Sequence, residues 1–363
     1  MSPVQSSHPI DSRRGYLDTP SMGLPIPETL AAMQAALQEW GSGRADHVVW
    51  ERSSQACRRS FARLSGVQPE RVGLLPSIVP AVSAAATVIA RESGTVVVHR
   101  REFRSLLLPV LAQVEQDRLR WVDGPYVAET FTAAVDEGTS AVVVSAVSSH
   151  DGGRPSLTRL QAACDAMDAH LVVDGTQAAG LVVPDVAIES LLLFACAGYK
   201  GLRGPRGAAY AVGDDQLAHA LLAPSAYGMA DAGERGSYGP PLLPRRGGQG
   251  LDQSPVWLAW VGAEPALEHL LTGSAARRQA HVLALAAQLR DELESCGLTP
   301  QLTDLPSPVV TFEHEQADAL VDRLAAHGLR CATRLGRVRL GFHEHNDEDD
   351  VVAVGRILRD RPH

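Results

Sequence analysis

Two features of the chain predict an α/β protein whose mainly parallel sheet is covered by helices on both faces. The first is an alternation that begins near residue 94. Short β-branched or aliphatic runs (Thr95-Val96-Val97-Val98, Ala141-Val142-Val143-Val144, Leu171-Val172-Val173 and Leu191-Leu192-Leu193-Phe194) alternate with amphipathic stretches at 106–116 and 157–169. Continuously apolar runs of this kind suit strands buried on both faces. Helical crossovers pair such strands in parallel, and ligands then sit at the carboxyl ends of the strands. The second feature is size: 363 residues, 45% hydrophobic and 21% charged, suffice for one large domain and a smaller one.

Taken in order, residues 1–15 are polar and read as a flexible N-terminus. Tyr16-Leu17-Asp18-Thr19-Pro20-Ser21-Met22-Gly23-Leu24-Pro25 reads as an ordered loop leading to a helix, and Pro76-Ser77-Ile78-Val79 precedes another. Two segments fall at strand ends: Ser148-Ser149-His150-Asp151-Gly152-Gly153 after the strand at 141–147, and Asp174 after the strand at 171–173. The stretch 238–250 is a proline- and glycine-rich loop. A long amphipathic helix over 275–294 leads to a strand at 309–312, a helix over 316–327, two strands ending near Leu340, and a last helix. That helix opens on Asp347-Glu348-Asp349-Asp350, an acidic first turn of the kind the helix dipole favours. The pattern predicts a large domain over 16–265 and a small α+β domain over 266–363.

Chemistry concentrates at Lys200, in Ala195-Cys196-Ala197-Gly198-Tyr199-Lys200-Gly201-Leu202-Arg203-Gly204-Pro205-Arg206-Gly207. A lysine between small apolar residues and a glycine-rich turn is poorly placed for solvation. Burial disfavours the ammonium, and the neutral amine can condense with an aldehyde. Asp174 lies 26 residues upstream, in Val172-Val173-Asp174-Gly175-Thr176-Gln177. A Schiff-base lysine paired with an acid for a pyridinium nitrogen is what pyridoxal phosphate requires. Each piece has a plainer reading: a glycine-flanked lysine marks a surface loop, Asp-Gly and Gly-Pro-Arg-Gly mark turns, and Arg339 suits a solvated edge strand.

Composition narrows the class. With 33 basic and 42 acidic residues, for a net charge of −9, the chain has no electrostatic footprint for nucleic acid or an anionic membrane. No apolar run reaches the length of a membrane span, and the start lacks the order of a signal peptide, so a cytoplasmic location is expected. Cys57, Cys164, Cys196, Cys296 and Cys331 are dispersed and lack Cys-x-x-Cys spacing, which indicates neither a disulfide framework nor a zinc site. His343 and His345 would share a strand face, but no third ligand accompanies them, and no metal is expected.

The ordered series of motifs resembles the class V aminotransferase and cysteine desulfurase superfamily of fold-type I pyridoxal phosphate enzymes over nearly the whole chain. It runs through Tyr16-Leu17-Asp18-Thr19, Pro76-Ser77-Ile78-Val79, Glu102-Phe103, Asp174-Gly175-Thr176-Gln177, Gly198-Tyr199-Lys200, Gly204-Pro205-Arg206-Gly207, and Val338-Arg339-Leu340 with His345-Asn346. The resemblance implies a seven-stranded sheet in the large domain and pyridoxal 5′-phosphate as cofactor. Lys200 would then be the Schiff-base lysine and proton carrier, with Asp174 at the pyridine nitrogen and Gln177 at the phenolic oxygen. Phe103 would stack on the ring or, in its plainer role, belong to the core. Ser77 and the N–H groups of Ile78 and Val79 would receive the phosphate at a helix N-terminus, where relatives often offer glycine and threonine hydroxyls and this chain has Ile78, Val79 and Pro80. Ser149 and Tyr199 would line the cofactor site. Ser254, in Gly247-Gly248-Gln249-Gly250-Leu251-Asp252-Gln253-Ser254, would reach it from the other protomer of a homodimer. Arg339 would grip the α-carboxylate of an amino-acid-like substrate, with Ser21 beside it. His345 stands where the family often has tyrosine.

The reaction is less sharply marked. A desulfurase needs a nucleophilic cysteine on a mobile loop, whereas Cys331 falls in a segment, 329–333, that reads as strand. Glu102-Phe103, Ser148-Ser149 and the segment 251–263 look like the subgroup that contains isopenicillin N epimerase-like proteins and the carbon–sulfur lyases of ergothioneine and lincosamide pathways. This implies a cysteine S-conjugate β-lyase of specialised metabolism or antibiotic biosynthesis, yielding a thiol, pyruvate and ammonia. Aminotransferase, decarboxylating deaminase and amino-acid epimerase are the alternatives within the fold. Outside it stand a nucleotide-binding protein, which the missing Gly-x-Gly-x-x-Gly opposes, and a catalytically dead member, which Lys200, Asp174 and Gln177 oppose.

Overall fold

The structure, a computed structural model, describes residues 14–230 and 238–360. The segment expected to be a flexible N-terminus therefore lies, but for Arg14 and Gly15, outside the described residues. The chain opens with α1 (Pro27–Gly41) and α2 (His47–Ser65), then β1 (Val72–Leu75), α3 (Val79–Arg91), β2 (Thr95–His99), α4 (Arg104–Leu111) and β3 (Leu119–Val122). There follow α5 (Ala128–Thr132), β4 (Thr139–Ser145), α6 (Leu157–Asp165), β5 (His170–Asp174), β6 (Leu193–Ala197), β7 (Ala209–Val212), α7 (Asp215–Ala220) and α8 (Trp257–Thr272). The last third holds α9 (Ala275–Ser295), β8 (Val309–Glu313), α10 (Ala317–Ala326), β9 (Ala332–Arg334), β10 (Arg337–Gly341) and α11 (Glu348–Arg359).

Seven strands form the large sheet in the order β1-β7-β6-β5-β4-β2-β3. The pairs from β6 through β5, β4 and β2 to β3 are parallel, while β7 runs antiparallel to both β6 and β1. Strand alternation divides the valines between two apolar layers: Val97, Val142, Val144 and Val173 pack on one face, and Val96, Val98, Val143 and Val172 on the other. Burying each contributes about 1.5–3 kcal/mol, which fixes the register because a slip by one residue would exchange the faces.

Several boundaries differ from the sequence expectation for local reasons. The stretch 106–116 forms a shorter helix that starts earlier, at Arg104, with Phe103 as its N-cap residue; residues 116–118 turn instead as a 3₁₀ segment. The strand expected at 191–194 begins at Leu193, because residues 188–190 form a 3₁₀ turn that ends on Leu191. The α6 helix stops at Asp165, short of 169, and Asp168 takes a left-handed φ of 54°. The last helix begins as expected: Asp347 caps it, and Asp350 completes the capping box.

A second core lies under the three-stranded antiparallel sheet β8-β10-β9, covered by α9, α10 and α11. Val338 and Leu340 of β10 point into this core with Leu289, Phe312 and Val354. By alternation, Arg337 and Arg339 point the other way, toward the large sheet. Residue 265 falls inside α8, whose buried Trp260, Ala263 and Leu267 belong to the large core; the buried face of α9 belongs to the small one. We propose that the change of core occurs between these two helices. Tyr16 and Asp18 bridge to Arg330 and Gly341, and Leu17 joins the small core, so the opening segment runs along the small unit before crossing to the large one.

Candidate active site

The carboxyl ends of β5 and β6 set the site. Asp174 is the last residue of β5, and its Oδ1 accepts a hydrogen bond from the Thr176 backbone N–H at 2.8 Å. The chain then turns through Gly175, where any Cβ would lie 2.1 Å from the Phe194 ring, so only glycine fits under that ring. Thr176 Oγ1 accepts from the N–H of Ala197 at the end of β6 at 3.1 Å, tying the two strand ends together. Lys200 follows β6 in a turn braced by the opening loop: the Gly23 N–H donates to Tyr199 O at 2.8 Å.

Lys200 is 4% exposed, and its ammonium is pulled down to about 8, chiefly by burial. Asp174 works against that shift, whereas Arg339, Arg334 and Arg206 reinforce it. Asp174 is buried as well. Burial raises its carboxyl above the usual range, and the Thr176 hydrogen bonds and the charge on Lys200 hold it down. Asp174 lines a cleft with Ser77, Ile78, Phe103, Tyr199 and Arg206, and Lys200 Nζ lies beside it, 5.5 Å from the Phe103 ring centroid and 5.8 Å from that of Tyr199.

Each residue expected in the site has a definite place. Phe103 is not core: its ring is 42% exposed, with Lys200 Nζ 5.5 Å from the ring centroid. Ser77 and Ile78 line the cleft at the start of α3, whose first turn carries no side-chain cap; Val79 is exposed and does not line it. Gln177 is buried, its Nε2 donating to Pro20 O at 3.1 Å and Ser149 Oγ at 3.4 Å. Arg339 is 1% exposed; its Nη1 donates to Ser149 O at 2.8 Å and its Nη2 to Ser21 Oγ at 2.8 Å. Burial and the neighbouring Arg334 draw the Arg339 guanidinium down to about 10. Tyr199 lies beneath the guanidinium of Arg206, 5.1 Å from its ring centroid.

Ser254 is exposed and does not line this cleft within the single chain. The loop before it is held by its own protomer through the buried pair Arg58–Asp252, 2.6 Å apart, and through the Leu74 N–H to Asp252 Oδ1 at 2.8 Å. His345 turns to the small unit, its Nε2 meeting Tyr16 O at 3.1 Å. Asn346 locks that corner by donating to Tyr16 O and Asp350 Oδ2.

Sequence reasoning gives no site role to three groups. Arg206 had been assigned to a structural turn, yet it faces the cleft opposite Ser77. Arg334 was not singled out; its pairing with Arg337 across β9 and β10 places it on the face that carries Arg339. Glu102 lies buried behind Phe103, accepting from Phe103 N–H, Ser145 Oγ, Ser145 N–H and the Tyr126 hydroxyl. This network fixes the base of the Phe103 loop against β4.

A buried amine of lowered basicity, a buried acid, an exposed aromatic face and an uncapped helix start are groups that a pyridoxal phosphate site of fold type I calls for. The class V aminotransferase family matches residues 16–354, and the chain belongs to it. Among curated proteins, an uncharacterized aminotransferase, YcbU, of Bacillus subtilis is 24% identical over 306 residues, covering 82% of this chain and 81% of that protein. The fold is shared with an apo cysteine desulfurase from Thermococcus onnurineus at 16% identity and a TM-score of 0.78, covering 95% of this chain and 94% of the other. It is shared equally with the cystine C-S lyase C-DES, seen in complex with its product cysteine persulfide, at 16% identity and a TM-score of 0.80 over 96% and 98% of the chains.

The residues present fit the family's cofactor. Asp174 suits the pyridine nitrogen, Phe103 the ring face and Lys200 the aldehyde. Ser77 with the free N–H groups at the start of α3 suits the phosphate, and Arg206 adds a cation there. Among the described residues, no group of three metal-ligating side chains exists, and no helix is long and apolar enough to cross a membrane.

Proposed function

We propose that the chain is a pyridoxal phosphate-dependent carbon–sulfur β-lyase that, with one water, converts a cysteine S-conjugate into a thiol, pyruvate and ammonia. What supports this reading is that Lys200 and Asp174, two buried groups whose charges act on each other, stand beside a cleft whose lining includes no cysteine. C-DES, whose fold the chain shares, is a cystine C-S lyase, in keeping with this reading.

Bound in the cleft, pyridoxal phosphate supplies an electron sink for the pair left when the substrate's Cα proton departs. Lys200 Nζ takes that proton; its lowered basicity keeps a useful fraction of neutral amine near neutral pH. Asp174, whose charge is favoured by Lys200 and the Thr176 hydrogen bonds, would hold a proton at the pyridine nitrogen. Arg339 holds the α-carboxylate and so sets which Cα bond faces Lys200. Phe103, its ring beside Lys200, would cover one face of the ring and exclude water from it.

Sulfur transfer to the protein is disfavoured. The Cys331 thiol is buried in the small core and pushed up to about 12 by burial, so its thiolate is scarce. The Cys164 thiol is likewise pushed up to about 12, and burial raises those of Cys57 and Cys196. The Cys296 thiol lies beside Glu292, at the end of α9. Thiol therefore leaves with the product.

The test is to incubate the holoenzyme with a panel of S-substituted cysteines and to measure thiol and pyruvate together. Equimolar release of both is expected. Racemised or transaminated amino acid without free thiol contradicts the lyase reading and favours the epimerase or aminotransferase alternatives.

A further inference from the structure

Arg334 and Arg339 both donate through Nη2 to the same acceptor, Ser21 Oγ, each at 2.8 Å. Two guanidinium cations thus share one neutral hydroxyl oxygen. The nearest carboxylate, Asp18, stands 3.8 Å from Arg339 Nη2. Neither its Oδ1 nor Arg339 Nε, both buried, has a hydrogen-bond partner among the described residues. Arg334 forms no ion pair among the described residues, and its Nη1 donates to Thr333 O at 2.7 Å.

Like charges held this close in a poorly solvated site repel; Asp18 offsets Arg339 only at 3.8 Å and without a hydrogen bond, and the hydroxyl offsets neither cation. The chain as a whole carries a net charge of −9, so a pair of cations here does not reflect a general excess of base. One α-carboxylate neutralises one guanidinium. Arg339, 1% exposed and anchored to Ser149, suits the group fixed nearest the reacting carbon; Arg334 is half-buried, farther toward solvent.

We infer that the substrate carries a second anionic group on its side chain, a carboxylate or an equivalent oxyanion, and that Arg334 receives it while Arg339 receives the α-carboxylate. This rests on the amino-acid reading above and names the class of conjugate that the cleft takes. Ser21 Oγ accepts from both guanidiniums and orders them. Arg334 is then the specificity residue for the group beyond sulfur.

The experiment compares S-carboxymethylcysteine with its neutral isostere, S-carbamoylmethylcysteine, on the holoenzyme, reading dissociation constants from the visible spectrum and KM separately from kcat. The acid is expected to bind roughly tenfold more tightly than the amide. In R334M that ratio should collapse toward one through weaker binding of the acid, and in R339M both ligands should weaken together. Equal affinities in the unaltered protein overturn the inference. So does an R334M protein that loses both ligands alike, which makes Arg334 a second grip on the α-carboxylate. The visible band of each variant reports an intact cofactor site. If the unaltered protein shows no such band, the cofactor reading fails separately, and calorimetry of the same two ligands on the cofactor-free chain decides whether the charge preference stands.

Discussion

Lys200 titrates near 8 because little water reaches it and three arginines face it, while Asp174 alone favours its charge. Its folded-state value lies below its ordinary one, so the neutral amine gains population as pH rises through about 8. The rate at which the cofactor-free protein takes up pyridoxal phosphate should rise through that region; a rate that does not change there contradicts the assignment. Asp174 acts by charge, not by shape. Asp174→Asn preserves the size of the side chain but removes the anion, and kcat is expected to fall roughly 10²- to 10⁴-fold with little change in KM. Retention of kcat in that variant would show that the pyridine nitrogen needs no acid here.

At the scale of elements, the strand ends and the turns that follow them determine where the site groups stand. Gly23 packs against the Lys200 turn so closely that a Cβ would lie 2.1 Å from Lys200 O, a backbone atom that cannot rotate aside. Gly23→Ala should displace the turn and lower kcat, and its melting temperature, measured calorimetrically, should fall as well. The buried Arg58–Asp252 pair pins the segment that leads to Ser254, and Arg58→Ala strands a buried carboxylate; a loss of about 3–5 kcal/mol is expected in denaturant unfolding.

These details also show what the sequence could carry. The valine-rich strands β2, β4 and β5 were legible because β-branched runs have little competing preference. By contrast β1, β3 and β7 were not identified: Val72-Gly73-Leu74-Leu75 and Ala209-Tyr210-Ala211-Val212 contain glycine and alanine, whose strand tendency comes from neighbours on the sheet, and Leu119-Arg120-Trp121-Val122 is short and carries a charge. Lys200 and Asp174 were legible because their chemistry is rare in apolar surroundings. Arg334 was not, since its role appears only when the β9–β10 register sets it beside Arg339.

For the whole molecule, the arginine face of the small sheet meets the strand ends of the large one where Arg339 donates to Ser149 and to Ser21 of the opening segment. We expect a homodimer that completes the site. Ser254 stands exposed beyond a firmly anchored loop, and α1 leaves Leu30, Leu37 and Trp40 on its surface. Light scattering should give twice the chain mass of 38.6 kDa, and a fully active monomer would contradict a shared site. The most direct measurement of the central claim is borohydride reduction of the purified yellow protein followed by peptide mass analysis. The account predicts that the visible band disappears and that a pyridoxyl mass appears on the peptide carrying Lys200. A protein that stays colourless with added pyridoxal phosphate, or one that carries the label on another lysine, would contradict it.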